Sequence, residues 1–310
     1  MNHHTQSGYL FLVGIGPGGR AQMTGQAISA INLADTIVGH TTYLRLIADL
    51  ISDKVVIRRG MTAELERAQL AIEHAHAGRT VALISSGDSG IYGMAGLTFE
   101  LLIQQGWQPN SGIRVEVIPG TTALITCAAL VGAPLSHDFC AISLSDLLTP
   151  WPIIARRLHA AALADFVIAL YNPSSGSRTR HIQEAQRLLL AQRSPTTPVA
   201  CIRAAYRANQ HVHFSTLELL NECELDMLTT VLIGNSQTCI HHDQLMITPR
   251  GYTNKYSPAL IPLSSAAPLP DNLADFIATL RASHATPAQL ATQWQLPQAY
   301  ILELLNPELD

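Results

Sequence analysis

A chain of 310 residues with 47% apolar and 14% charged side chains can bury a large core, which excludes wholesale disorder and allows two ordinary domains. The net charge of -4 argues against a protein that holds nucleic acid by bulk electrostatics. Among the 19 basic residues only Lys54 and Lys255 are lysines, a bias that suits bidentate grip on carboxylates or phosphates and that high-GC codon usage would equally produce. Cys127, Cys140, Cys201, Cys223 and Cys239 are scattered without a C-x-x-C pair and read as reduced thiols of a cytoplasmic protein. His3, His4 and Gln6 precede only a strand-length apolar run, so no signal peptide is expected.

Strand and helix patterns alternate through the first half. Tyr9 to Val13 reads as a strand, followed by a helix from Thr24, its N-cap, to about Ala34. Short strands are expected at Thr36 to Val38 and Lys54 to Ile57, and a helix from about Thr62 to His76. A strand at Thr80 to Ile84, a helix from about Met94 to Gln105 and a strand at Ile113 to Val117 complete this half. Such alternation predicts a mostly parallel sheet with helices on both faces. The uncharged run Val117 to Ser136 has membrane-spanning length, but Pro119, Gly120, Gly132 and Pro134 break it into a strand end, a loop and a buried helix, so no membrane span is expected.

A second α/β unit follows. Its strands are expected at Ala141 to Leu144, Phe166 to Tyr171, Val199 to Arg203, His211 to Ser215 and Thr230 to Ile233, with helices near Ile153 to Ala162 and Arg180 to Ala191. The division drawn from these patterns is an α/β domain over 1–118, a second over 119–252, a Pro/Ser/Ala linker over 253–270 and a small helical extension over 271–310. In that extension "TPAQLATQWQLPQAYILELL" has the look of a helix-turn-helix, yet without a basic face it reads as a packing or dimerisation appendage.

Two motifs fail their context. Gly14, Gly16 and Gly19 spell the dinucleotide fingerprint G-x-G-x-x-G, but Pro17 interrupts the loop, helix-forming sequence starts only near Thr24, and Asp35 precedes the next strand instead of ending it. Gly87-Asp88-Ser89-Gly90 copies the surroundings of a protease nucleophile, but it joins a strand to a helix in a parallel-sheet pattern, with no candidate His/Asp pair in a comparable setting. A glycine-rich loop at a strand end is nonetheless where an open α/β sheet binds its ligand. His211 with His213, and His241 with His242, lack further ligands at fitting spacing and read as solvated, so no protein-bound metal is expected.

Six strings in order, "VGIGPGG", "SSGDSGIYGMAG", "VIPGTTA", "GAPLSHDFCAISLSDLLTPW", "VIALYNPSSGSR" and "DMLTTVLIGNS…ITPRGY", resemble the tetrapyrrole (corrin/porphyrin) methylases over about Tyr9 to Tyr252. The fourth and fifth strings are most similar to the members that methylate C-17 at the precorrin-3B level, with or without cobalt, and contract the macrocycle. A same-fold methylase of another ring position, of rRNA ribose or of modified histidine stays open, as does a tetrapyrrole-binding module without chemistry. The resemblance implies a two-domain α/β protein, usually a homodimer, whose cleft holds S-adenosylmethionine and a cyclic tetrapyrrole. Relatives often carry an acid after "GPG" where this chain has Gly19.

What the resemblance implies for single residues is specific. Gly14, Gly16 and Gly18 would line the tetrapyrrole trough, with Pro17 near the methyl donor. Gly87, Asp88 and Ile91 would form one wall of the donor pocket and Thr122 and Ala123 the opposite one, while Tyr171, Asn172, Ala205 and Thr230 complete it. The acceptor's rim of carboxylates calls for cationic forks, for which Arg178 and Arg180 are candidates, with Arg203 and Arg207 weaker ones. Ring contraction needs an acid/base group, and "SHDFCAISLSDLLTPW" supplies Asp146 as first choice and His137 as second. For Asp88 the alternative role is a helix N-cap, and for Asp146 or His137 a cap or structural hydrogen bond.

Overall fold

The computed structural model describes residues 8–60, 62–175, 180–252, 270 and 273–306. The chain divides into two compact units, 1–264 and 265–310. In the first unit, β1 (Tyr9–Gly14), β2 (Thr36–His40), β3 (Val55–Arg59), β4 (Thr80–Ser85) and β5 (Arg114–Ile118) form an all-parallel sheet in the order β3-β2-β4-β1-β5. Helices α1 (Gly25–Leu33), α2 (Thr41–Arg45), α3 (Glu64–His76) and α4 (Met94–Gln104) connect the strands.

The two-residue period of β1 explains why it is central. Phe11 and Val13 pack with Ala27, Ala30 and Ile31 of α1, while Leu10 and Leu12 pack on the other face with residues of α3 and α4. Thr24 caps α1 by accepting the Ala27 amide at 3.0 Å. Lys54 closes its other end, with Nζ 2.9 Å from the Asn32 carbonyl and 2.8 Å from that of Ala34.

The second half of this unit contains α5 (Ala123–Val131), β6 (Gly132–Ala133), β7 (Phe139–Ser143), α6 (Trp151–Leu163), β8 (Val167–Tyr171), α7 (Arg180–Leu190), β9 (Pro198–Arg203), β10 (His211–Thr216), β11 (Thr229–Ile233), β12 (Cys239–His241) and β13 (Leu245–Ile247). Its main sheet has the order β10-β9-β11-β8-β7. Only β7 and β8 are parallel neighbours; the other pairs are antiparallel. Leu124, Cys127 and Ala128 of α5 pack on the face carrying Ala169, Ala200, Ile202 and Leu232. The opposite face buries Ile168, Leu170, Val199 and Val231 against α6 and α7.

Two features were not expected from sequence. The short α2 follows β2 directly, and β12-β13-β6 make a separate three-stranded sheet. The proposed linker residues 253–269 lie outside the described residues. In the second unit α8 (Leu273–Ala282), α9 (Pro287–Trp294) and α10 (Gln298–Leu305) enclose Leu280, Leu290 and Ile301. Thr286 and Gln289 form a capping box at α9, and left-handed Gln295 followed by Pro297 separates α9 from α10.

Candidate active site

The strand directions bring the loops together. The carboxyl ends of β1 and β4, the carboxyl ends of β8 and β9 and the amino end of β11 all contribute to one pocket of about 140 Å³, whose lining includes Pro17, Gly87, Tyr171, Ala204 and Thr230. Open α/β sheets bind ligands at such strand ends. A neighbouring recess of about 390 Å³ shares Thr126 with it, and together they reach the few-hundred-Å³ scale typical of small-molecule sites.

Glycines let the loops approach. Gly16 and Gly87 exchange two backbone hydrogen bonds, at 3.0 and 2.8 Å. A Cβ on Gly14 would stand 2.6 Å from the Gly87 carbonyl oxygen, and one on Gly120 only 2.1 Å from the same atom. Asp88 ties the contact from the side, accepting the Gly90 amide at 2.8 Å through Oδ1 and the Gly120 amide at 2.9 Å through Oδ2. It is therefore not the cap of α4, where Gly93 stands.

The second half supplies side chains. The Tyr171 hydroxyl lies 2.6 Å from Thr122 Oγ1 and accepts the Leu124 amide at 2.8 Å. Asn172 Nδ2 donates to Ser143 Oγ at 2.9 Å. Arg207 reaches across to the first half, with Nε 2.6 Å from the Pro17 carbonyl and Nη2 3.2 Å from Ser86 Oγ. Asn172, Ala204 and Tyr206 have φ of 53°, 49° and 59°. Left-handed conformations at non-glycine residues cost free energy and concentrate at functional sites.

The electrostatics are simple. Burial raises the Tyr43 and Tyr171 phenols above their ordinary value and pushes the Cys127 thiol up to about 11. These groups are neutral at neutral pH. Arg207, whose own value is lowered by desolvation, is the one charged residue lining the pocket among the described residues. Neutral walls, small side chains, hydroxyls and one cation suit a ligand with a carboxylate at one end and apolar or hydrogen-bonding parts elsewhere. S-Adenosylmethionine has that chemistry, so the residues present fit it. Among the described residues no helix is long and apolar enough to cross a membrane, and no three His, Cys, Asp or Glu gather for a metal ion.

An α/β unit of two five-stranded sheets, with a pocket where loops from both sheets meet, defines the class. Comparison makes it specific. The profile of the Tetrapyrrole (Corrin/Porphyrin) Methylases matches residues 9–221, and the chain belongs to that family. It is 51% identical over 244 residues to the probable cobalt-factor III C(17)-methyltransferase of Salmonella typhimurium, covering 79% of this chain and 99% of that one. It is 53% identical over 250 residues to the cobalt-factor III methyltransferase of Priestia megaterium, covering 81% of this chain but 46% of that protein, so it spans about half the length of that relative. The crystal structure of the methyltransferase CobJ superposes with a TM-score of 0.72 at 35% identity, over 78% of this chain and all of the other. Uroporphyrin-III C-methyl transferase from Thermus thermophilus, complexed with S-adenosyl homocysteine, gives a TM-score of 0.59 at 25% identity, over 73% and 97% of the two chains.

The structure places the expected residues unevenly. Pro17, Gly87, Ala123, Tyr171, Asn172, Ala205 and Thr230 line the same pocket. Gly87 is not opposite Thr122 and Ala123: its Cβ position is 3.7 Å from Thr122 Cα, so the two loops form one continuous wall. Ile91 is exposed and does not line the pocket. Gly14, Gly16 and Gly18 are buried: a Cβ on Gly14 would meet the Gly87 loop, one on Gly16 the Gln22 carbonyl, and one on Gly18 the Tyr206 carbonyl and Arg207 of the second half. Arg180 is exposed and pairs with Glu184 at 3.3 Å, and Arg178 lies outside the described residues.

Asp146 and His137 are not together. His137 precedes β7, accepts the Asp138 amide at 2.9 Å on Nδ1, and is separated from Asp146 by the length of the strand, about 15 Å at roughly 3.3 Å per residue. It sits at the end away from Tyr171, which removes it as the second acid/base candidate. Asp146 instead pairs with His181, whose Nε2 is 2.7 Å from Oδ2. Sequence reading missed His181 and Tyr43. Tyr43 was within reach, since it follows the carboxyl end of β2, whereas no spacing links His181 to Asp146.

Proposed function

We propose that this chain methylates C-17 of precorrin-3B or cobalt-factor III with S-adenosylmethionine, in cobalamin biosynthesis, and that ring contraction accompanies the transfer. The observation that carries the reading is the 51% identity to a probable cobalt-factor III C(17)-methyltransferase along 99% of that relative's length. The precorrin-3B C(17)-methyltransferase of Sinorhizobium sp., 40% identical along 98% of its length, supports the same position of methylation. The halves 1–118 and 119–252 act as the two domains of the fold, and a homodimer in the cytoplasm is the working form.

When bound, S-adenosylmethionine supplies a methyl group on a sulfonium that becomes a neutral thioether. The loops of the first half shape a dry pocket from backbone, and Tyr171 fixes the first turn of α5 through the Leu124 amide and Thr122. Arg207 provides the cation for a ligand carboxylate. Arg178 and Arg180 serve the carboxylate rim of the macrocycle. Because a cation is consumed, charge balance requires the acceptor to release one proton, and Asp146 receives it.

Incubation of purified protein with S-adenosylmethionine and either macrocycle, followed by mass and absorption spectra, tests the reading. A gain of one methyl with the spectrum of a contracted ring is the expected result. Methylation of a different ring position, or none, contradicts it.

A further inference from the structure

The contact between Asp146 and His181 joins the loop after β7 to the first turn of α7. Trp151, at the start of α6, packs edge-on against the imidazole with ring centroids 5.1 Å apart, so packing sets the ring's orientation. Among the described residues His181 Nδ1 is buried without a hydrogen-bond partner, and the 2.7 Å contact of Nε2 with a carboxylate oxygen makes Nε2–H the group directed at Asp146.

The pair hangs from the pocket wall. Ser143 Oγ accepts Asn172 Nδ2 at 2.9 Å and the Ser145 amide at 3.2 Å, and the Leu144 amide donates to the Tyr171 carbonyl at 2.9 Å. Tyr171 and Asn172 line the pocket. The Asp146 side chain is 38% exposed against 19% for His181, so the carboxylate is the outward member. Beside it Leu147 and Leu148 are 80% and 88% exposed, apolar surface of the kind a flat macrocycle covers.

We infer that His181 is the positioning residue for Asp146. It holds one carboxylate oxygen through Nε2–H and so orients Asp146 to accept the acceptor's proton. One bond to hydrogen on the macrocycle breaks, and one O–H bond forms on Asp146. The electron pair of the broken bond stays on the macrocycle, replacing the pair used in the new C–CH3 bond. His181 makes and breaks no covalent bond. This inference rests on the methyltransferase reading above.

The test uses the full chain, S-adenosylmethionine and precorrin-3B, with S-adenosylhomocysteine affinity and Tm measured alongside. His181→Phe should lower kcat by about 10²-fold, the low end of acid/base contributions, with KM, S-adenosylhomocysteine affinity and Tm close to those of the unaltered protein. His181→Gln keeps an N–H donor of similar reach and should recover about tenfold of that loss. Unaltered kcat in the Phe variant overturns the inference. So does a Gln variant no better than Phe, or a loss of kcat matched by loss of S-adenosylhomocysteine affinity. Unaltered protein that methylates no macrocycle overturns the functional reading and the inference with it, whereas active protein with indifferent variants overturns the inference alone.

Discussion

The two sheets meet at one pocket but contribute different chemistry. The parallel sheet β3-β2-β4-β1-β5 sends out glycine loops whose backbones touch, and the mixed sheet β10-β9-β11-β8-β7 supplies Tyr171, Asn172 and Arg207. In the first of these sets of loops, side chains on Gly14 and Gly120 would collide with the backbone of a neighbouring loop. From the second come the Tyr171 hydroxyl, the Asn172 amide and the Arg207 guanidinium that line the pocket.

That contrast can be broken in several ways. Asp146→Asn should leave S-adenosylhomocysteine affinity and Tm nearly unchanged while lowering turnover by about 10²–10⁴-fold, the range of a proton-transfer group. Undiminished turnover would remove Asp146 from the reaction. Gly120→Ala should act in the opposite sense, through folding. Its Cβ would meet the Gly87 oxygen at 2.1 Å and the Gly14 carbonyl oxygen at 2.6 Å, and about 3 kcal/mol or more of stability should be lost in a urea titration. A tolerated alanine would show that the loops can separate.

Alkaline pH sharpens the comparison at the pocket itself. The Cys127 thiol is raised from 9.0 to about 11 by burial, so the folded state holds its proton after the unfolded chain has released it. Its contribution is fully present below pH 9 and is lost as pH rises towards 11, about 2–3 kcal/mol in all. Cys127→Ala should flatten stability between those values in urea melts at stepped pH. Asp88→Ala removes the acceptor of the Gly120 amide and should weaken donor binding, with about 1.5–3 kcal/mol of stability lost for a charge-assisted bond. Calorimetry that finds donor affinity intact would leave Asp88 a purely structural tie. The smallest effect belongs to Thr24→Ala, about 1 kcal/mol of stability for the α1 cap in a urea titration.

The backbone half of the site was largely legible in the sequence, because glycines between an apolar strand and a helix have few other uses. Pro17 and Gly87 come from such loops, and both line the pocket. The roles of Gly14, Gly16 and Gly18 are not legible in the same way, since a glycine string does not say whether a ligand or another loop fills the space left by the missing side chains. β6 escaped notice because two residues carry no alternation, and its partner β13 lies more than a hundred residues away. His181 was invisible for a similar reason. It meets Asp146 only after α7 docks beside α6, a tertiary event that leaves no local spacing.

Methyl transfer to C-17 of a tetrapyrrole is decided by carbon-13 NMR of the product formed from 13C-methyl-labelled S-adenosylmethionine and precorrin-3B. One new labelled methyl resonance is expected, its protons showing a long-range correlation to C-17 of ring D. A label at any other ring carbon, or an unlabelled macrocycle recovered from protein that binds the donor, would contradict it.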